Sequence, residues 1–167
     1  MRIRNAVFWL LLATVFVSGC EREVVTPLLG DIPSRSTPAE VREKVGPSAD
    51  TWTIVERLDT TQSDPENGFT FFVAQISQHT DLDFRGTAQF EFFNDQLVSV
   101  TFFPENVDEY KKVLEEKGFT FELNSLNVWQ AEAPPDTEVV FYPSSGSFRS
   151  ADRELELITA KRLAGEY

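Results

Sequence analysis

The only histidine of the chain, His79, stands in the run HTDLDF together with two carboxylates, Asp81 and Asp83. Residues two apart in an extended strand project from one side of a sheet, so these three side chains could converge on a metal ion. Imidazole and carboxylate groups are both metal ligands. The same run is also typical of a polar strand end that faces solvent beside a loop, and this is the structure that we expect. We therefore predict no metal site and no cofactor.

The sequence holds few other residues for catalysis. Its single cysteine is Cys20, and it has no G-x-S-x-G, S-x-x-K or H-E-x-x-H motif and no glycine-rich phosphate loop. Two carboxylates could act together as in a glycosidase. A chain with 27 Asp and Glu residues contains many such pairs by chance, so their spacing carries no signal. We expect that the protein is not an enzyme.

The first twenty residues form a segment with its own pattern. Arg2 and Arg4 precede an apolar run from Ala6 to Val17 that only Thr14 interrupts. This run is long enough for the core of a signal peptide but shorter than the roughly 20 residues that a membrane-spanning helix needs. It ends in the four residues Val17-Ser18-Gly19-Cys20.

These four residues resemble the lipobox of bacterial lipoproteins, in which an aliphatic residue and two small residues precede a cysteine. The resemblance implies that Cys20 receives a diacylglyceryl group, that signal peptidase cuts between Gly19 and Cys20, and that the new amino group is acylated, for example with palmitate. At roughly 0.8 kcal/mol per buried CH₂, two or three acyl chains hold a protein on a bilayer essentially permanently. The alternatives are an ordinary secretory signal with an incidental cysteine and a short N-terminal anchor.

The residue after the cysteine bears on which membrane holds the protein. In some Gram-negative lipoproteins an Asp at this position retains the protein at the inner membrane, whereas this chain has Glu21. We expect a lipid-anchored protein of the cell envelope, at the outer membrane and facing the periplasm. The inner membrane and a Gram-positive owner remain as alternatives.

Cleavage before Cys20 would leave 148 residues with 13 basic and 27 acidic side chains, a net charge of −14. Nucleic acid and anionic lipid head groups are bound through Lys and Arg, so we expect neither as a partner of this surface. The bilayer is then contacted through acylated Cys20 alone. An acidic surface favours solubility, and it also attracts basic partner proteins.

The rest of the chain divides into a lipidated Cys and flexible tether, 20–36, and one globular domain, 37–167. The VVTPLL portion of the tether is apolar, and the alternative is that it packs on the domain. STPAEVREKVGP predicts a helix that Thr37 caps and Gly46 ends. NVDEYKKVLEEKG predicts a second, amphipathic helix. A capped helix, a glycine and a strand with one Trp occur twice, so 37–103 and 104–167 are possible halves of a duplicated unit.

Fifteen Phe residues favour a sheet-rich core, and several segments read as strands. The segment GTAQFEFFNDQLVSVTFF predicts a hairpin with Phe90 opposite Val100, Phe92 opposite Val98, and a three-residue Asn94-Asp95-Gln96 loop with a bulge. PSSGS reads as a turn, and RELELITAKRL fits either a strand or a helical end. The predicted fold class is α+β, an antiparallel β-sheet with two short helices packed on one face.

In outline, this arrangement is similar to the small outer-membrane lipoproteins that accompany the β-barrel assembly machine (the SmpA/OmlA type), and to the helix-plus-sheet repeat of β-lactamase-inhibitor-like domains. It implies a non-enzymatic envelope lipoprotein that binds another envelope protein as an accessory module. The alternative is an inhibitor or immunity lipoprotein against a basic cell-wall hydrolase. A lipid- or ligand-binding sheet is a third class, which would need an apolar cavity.

Replacing the lipobox cysteine tests the anchor directly. We expect Cys20→Ala to remain uncut, to carry no fatty acid and to leave the membrane-anchored lipoprotein fraction, because the thiol is the acceptor of the lipid. Intact-mass analysis of the protein from its own host measures the uncut leader and the missing lipid, and membrane fractionation measures the third change. Glu21→Gln, which leaves the lipobox unchanged, is the control. A wild-type mass without lipid at Cys20 would contradict the prediction.

Overall fold

The structure is a computed structural model that describes residues 27–64, 66–124, 128–133 and 137–166. The described strands are β1 (Pro27–Leu28), β2 (Ile32–Pro33), β3 (Trp52–Asp59), β4 (Thr70–Asp81), β5 (Phe84–Phe93), β6 (Gln96–Pro104), β7 (Glu122–Leu123), β8 (Trp129–Ala133), β9 (Thr137–Tyr142) and β10 (Ser147–Ala151). The described α-helices are α1 (Pro38–Val45), α2 (Val107–Glu116) and α3 (Arg153–Leu163), and short 3₁₀ turns follow β1 and α1. The predicted turn PPDT falls largely outside the described residues.

One open, eight-stranded antiparallel sheet dominates the fold, in the order β3-β4-β5-β6-β10-β9-β8-β7. It consists of two four-stranded meanders that meet where β6 pairs with β10. α1 precedes the first meander and α2 the second. The predicted α+β class is confirmed. The two tryptophans are not equivalent in this order, because Trp52 lies in the first strand of its meander and Trp129 in the second.

Two neighbouring rows of side chains cross the whole sheet on opposite faces, since successive residues of a strand alternate between faces. The first row is apolar from edge to edge and consists of Trp52, Ile76, Ala88, Phe102, Phe148, Phe141, Trp129 and Leu123. The second is polar at all but one position and consists of Thr53, Gln75, Gln89, Thr101, Arg149, Val140, Gln130 and Glu122. One face of the sheet is therefore the main core face, and the other face is polar along this row.

α1 and α2 cover the core face, as the sequence predicts. Thr37 and Glu40 form a capping box at the start of α1, and Gly46 ends the helix at φ 59°. The apolar sides of the helices are buried in the same core cluster as Phe90 and Phe102. Tyr110 and Leu114 of α2 are among the most buried side chains of this cluster.

α3 settles the ambiguity of RELELITAKRL, because the whole segment is helical and lies on the opposite face of the sheet from α1 and α2. Asp152 caps it by accepting a hydrogen bond from the Leu155 amide at 3.0 Å. Leu155 packs on a second apolar cluster that includes Phe93 and Val98. The strand that precedes α3 is β10, which begins at Ser147, the last residue of the predicted PSSGS turn.

The β5–β6 hairpin corrects the predicted register in one respect. Phe90 lies opposite Val100 as expected, but Phe92 lies opposite Leu97, not opposite Val98. The loop is a two-residue turn with positive φ at Asn94 and Asp95, and the extra residue sits inside the strand as a bulge. The bulge adds one residue to β6, so the apolar side chains of β5 and β6 face the same side of the hairpin, as they would with the predicted three-residue loop.

The part of the predicted tether that is described packs on the domain. Leu28, Leu29 and Ile32 are buried in the core cluster beneath α1 and α2, and the Leu29 amide donates to Ser150 Oγ at 2.7 Å. Arg35 Nε donates to the carboxylate of Asp152 at 2.9 Å. Although burial favours the neutral form, hydrogen bonds from Arg35, the Leu155 amide and Ser34 hold the pKa of Asp152 below its usual value. Residues 27–36 are therefore part of the folded domain.

Truncating the aromatic ring at the junction of the meanders tests the core. Phe148 is fully buried and stacks on Phe141 with 4.6 Å between ring centroids. We expect Phe148→Ala to lower the free energy of unfolding by about 3–5 kcal/mol, measured by denaturant unfolding. Leu157→Ala on the exposed side of α3 is the control and should change it by about 0.5 kcal/mol or less. Equal losses in the two variants would refute this account of the core.

Candidate functional site

The sequence-predicted site residues are not brought together by the structure. Cys20 and Gly19 of the lipobox lie outside the described residues. His79 and Asp81 belong to β4, whereas Asp83 lies in the β4–β5 turn at φ 69° and is exposed. The chain bends at Leu82 and Asp83, so the three side chains do not share one strand face.

The sequence predicts that His79 and Asp81 face solvent at a strand end, but His79 is half-buried and Asp81 is buried. A bulge in the β4–β5 ladder between Ile76 and His79 changes the alternation of faces. The His79 ring then meets Phe90 and Phe102 edge-on, with 6.2 and 6.0 Å between centroids. Asp81 Oδ2 accepts a hydrogen bond of 2.5 Å from the Tyr110 hydroxyl of α2. Asp81 therefore joins β4 to α2, and His79 packs against β5 and β6.

Burial is the main cause of the pKa shifts in the cluster formed by His79, Asp81 and Tyr110. It lowers the pKa of His79, and the neighbouring charge of Asp81 opposes the shift only in part. It raises the pKa of Asp81 despite the hydrogen bond from Tyr110. The pKa of Tyr110 is raised by burial and by the Asp81 carboxylate. His79 Nδ1 is buried and has no hydrogen-bond partner in the described part of the chain.

The same residues do not form a metal centre. In the ranges that the structure describes, no group of three or more His, Cys, Asp or Glu side chains is placed to hold a metal ion. The Tyr110 hydroxyl already occupies one oxygen of Asp81, and phenyl rings surround the imidazole. We assign the cluster to packing between β4 and α2.

β3 presents a different kind of site, a long edge of the sheet. It pairs with β4 on one side, and no described strand pairs with the other side. Every residue of β3 after Trp52 is exposed, and three of these are large apolar side chains, Ile54, Val55 and Leu58. A long exposed edge with apolar side chains is a template for pairing with another chain, and natural proteins usually protect such edges.

The two faces of β3 differ in what they offer. Ile54 lies opposite Ala74 on the face of α1 and α2, next to Trp52, whose ring is 5.3 Å from the Arg42 guanidinium. Leu58 lies opposite Phe71 on the face of α3. A bulge at Val55 separates these two positions. An added strand would therefore find one apolar side chain on each face.

The surroundings of β3 are acidic. Residues 50–67 contain five carboxylates and one guanidinium, that of Arg57, and no lysine. Arg57 lies 3.7 Å from the Asp59 carboxylate, so these two charges partly offset each other, and the segment 50–67 has a net charge of −4. The edge combines exposed apolar side chains with a local negative charge.

The opposite edge of the sheet is much less suited to pairing. β7 has only two residues, and its hairpin with β8 closes through a 2.9 Å hydrogen bond from the Asn124 amide to the Val128 carbonyl oxygen. A very short edge strand is one of the ways in which proteins avoid edge-to-edge contact. β3 is the stronger candidate site.

No protein-family model, curated protein or solved structure matches this chain. Among the described residues, no helix has the length and apolar character needed to cross a membrane. The interpretation of the site therefore rests on the residues themselves. The sequence did contain a signal for the edge, because TWTIVERLD places charges on both faces of one strand, at Glu56 and Arg57, which an interior strand would bury.

The buried carboxyl makes stability depend on pH. A carboxyl group whose pKa is raised by folding binds more protons in the folded state, so stability falls as pH rises through that pKa. Asp81→Asn keeps an acceptor for Tyr110 and removes the charge. We expect it to be more stable than the wild type at neutral pH, with the difference disappearing below the unfolded-state pKa of about 3.9.

Denaturant unfolding at a series of pH values measures this difference. The control is Asp83→Asn, which removes an exposed carboxylate in the adjacent turn. A destabilised Asp81→Asn at neutral pH would show that the buried charge is favourable and that the account of the cluster is wrong.

Proposed function

We propose that this chain is a lipid-anchored, non-enzymatic protein of the cell envelope that binds another envelope protein through the edge strand β3. The observation that carries the proposal is the outer side of β3, which is exposed, carries apolar side chains and is paired with no described strand. Protein-binding sheets commonly use such an edge, because main-chain hydrogen bonds supply affinity and neighbouring side chains supply specificity.

The anchor in this proposal is Cys20, on the basis of the charged, apolar and small residues that precede it. Acylation of this residue would hold the folded domain beside the bilayer. The first described residues, from Pro27 onwards, pack near the middle of the sheet through Leu29 and Ser150. The chain from Pro27 onwards is thus attached to the central strands, and three strands separate β3 from β10 in the sheet.

The proposal gives no catalytic role to His79 and Asp81. Asp81 is buried and hydrogen-bonded to Tyr110 of α2, and the His79 ring packs edge-on against Phe90 and Phe102. Their contacts explain their presence by packing alone.

An inhibitor or immunity lipoprotein against a basic cell-wall hydrolase is a second candidate, and the acidic surroundings of β3 favour it. The two functions differ in how the complex responds to salt, since attraction between exposed charges weakens with ionic strength. A complex with a hydrolase that dissociates at high salt supports inhibition. A salt-resistant complex with an assembly or transport component supports the accessory role.

Crosslinking in the native membrane tests the proposed binding site. A photoreactive amino acid replaces Val55 in one variant and Leu123 in the other, two edge positions with matched exposures of 51% and 54%. We expect the probe at position 55 to form one major adduct with an envelope protein, identified by mass analysis, and the probe at position 123 to form none. Adducts from both positions, or from neither, would rule out β3 as the binding site.

A further inference from the structure

We infer that β3 binds its partner by strand addition, and that the added strand is an extended, lysine- or arginine-bearing segment of another protein. The partner segment would become a ninth strand beside β3. This inference rests on the proposed protein-binding function and adds to it the mode of binding and the chemistry of the partner.

The backbone of β3 provides the first argument. Each peptide group carries a donor and an acceptor that a sheet interior would pair. β4 uses those on one side of β3, from Trp52 to Asp59, and solvent meets the other side. A segment that runs along β3 would pair these groups in the same way as β4 does. The regular ladder extends over Glu56–Asp59, beyond the bulge.

The side chains of β3 restrict what the added strand can carry. Ile54 and Leu58 lie on opposite faces, so the partner would place one apolar side chain beside each. Burying the two exposed side chains removes apolar surface from water at about 25 cal/mol per Å². The remaining positions of the added strand lie beside Glu56, Arg57 and Asp59.

Charge selects a basic partner segment over an acidic one. Five carboxylates and one guanidinium stand in residues 50–67, within a chain of net charge −12. Opposite charges on neighbouring strands stabilise a sheet, and like charges directly opposite each other destabilise it. Lys or Arg beside Glu56 and Asp59 would meet this requirement.

The same charges disfavour a second copy of the chain as the occupant. Two copies that paired through β3 around a two-fold axis would run antiparallel, so Glu56 of each copy would lie near the centre of the new ladder, between two chains of net charge −12. Many edge strands are protected by lysine and by bulges. β3 has the bulge but carries carboxylates in place of lysine, which repels copies of itself and still admits a basic strand.

A synthetic peptide separates backbone pairing from simple charge attraction. The probe is a peptide of about ten residues that alternates two lysines with two valines, so that each face of the extended peptide carries both residue types, at a length that matches an ordinary strand. Its first control carries N-methyl groups on alternate amides, which remove backbone donors and keep every side chain. Its second control has glutamate in place of lysine. The protein is the full chain in detergent micelles, and hydrogen exchange of the amides of Trp52–Asp59 is the measurement.

We expect the lysine peptide to slow exchange in β3 by about tenfold or more, because added hydrogen bonds protect the amides of an exposed edge. The N-methylated and glutamate peptides should give no protection, and high salt should weaken the binding of the lysine peptide. Val55→Lys and Glu56→Lys should each weaken binding, whereas Leu123→Lys at the other edge should not. Val55, Glu56 and Leu123 are exposed, so all three variants should fold.

Several results would overturn the inference. Equal protection by the N-methylated peptide would eliminate strand addition, and equal protection by the glutamate peptide would eliminate the basic partner. Protection of β3 that rises with protein concentration in the absence of peptide would identify a second copy as the occupant. The peptide and crosslinking experiments test different statements. Adducts at position 55 without peptide protection would overturn strand addition and leave the proposed function standing. Peptide protection without adducts would overturn the proposed function.

Discussion

The pairing of β6 with β10 is the interaction on which the rest of the molecule depends. It sets Phe102 opposite Phe148 and so joins two four-stranded meanders into one sheet with a continuous apolar row on one face. In either meander alone, the last aromatic side chain of this row, Phe102 or Phe148, would lie at an unpaired edge. Joined, they give α1 and α2 one shared core to cover, and both ends of the sheet become outer edges.

The two edge strands that result differ in length and exposure, and only one of them is suited to binding another chain. β7 is too short to offer a ladder, while β3 presents eight residues, nearly all of them exposed. α1, α2 and α3 cover the faces of the sheet without closing the outer side of β3. Stability therefore resides in the centre of the sheet, and the surface that we assign to binding lies where few core contacts would be lost by changing a side chain.

Sequence patterns predicted the elements whose signals are local. The caps of α1, the stripe of α2 and the opposition of Phe90 and Val100 all follow from neighbouring residues. Predictions were wrong, or were left open as for 153–163, where a bulge or a distant contact decides. A bulge before His79 turned a strand end expected to face solvent towards the core, and the helical state of 153–163 depends on a cap whose carboxylate is held by Arg35, far away in sequence. The edge position of β3 likewise depends on the order of all eight strands.

The docking of residues 27–36 has a mechanical consequence. Any force that the N-terminal part of the chain transmits enters the domain through the Leu29–Ser150 and Arg35–Asp152 contacts, beside the central strands β6 and β10. The load would reach the outermost strand only through β6, β5 and β4, whose hydrogen-bonded ladders lie between the entry point and β3. If Cys20 is the anchor, a pull from the bilayer would therefore act first on the most deeply packed part of the sheet.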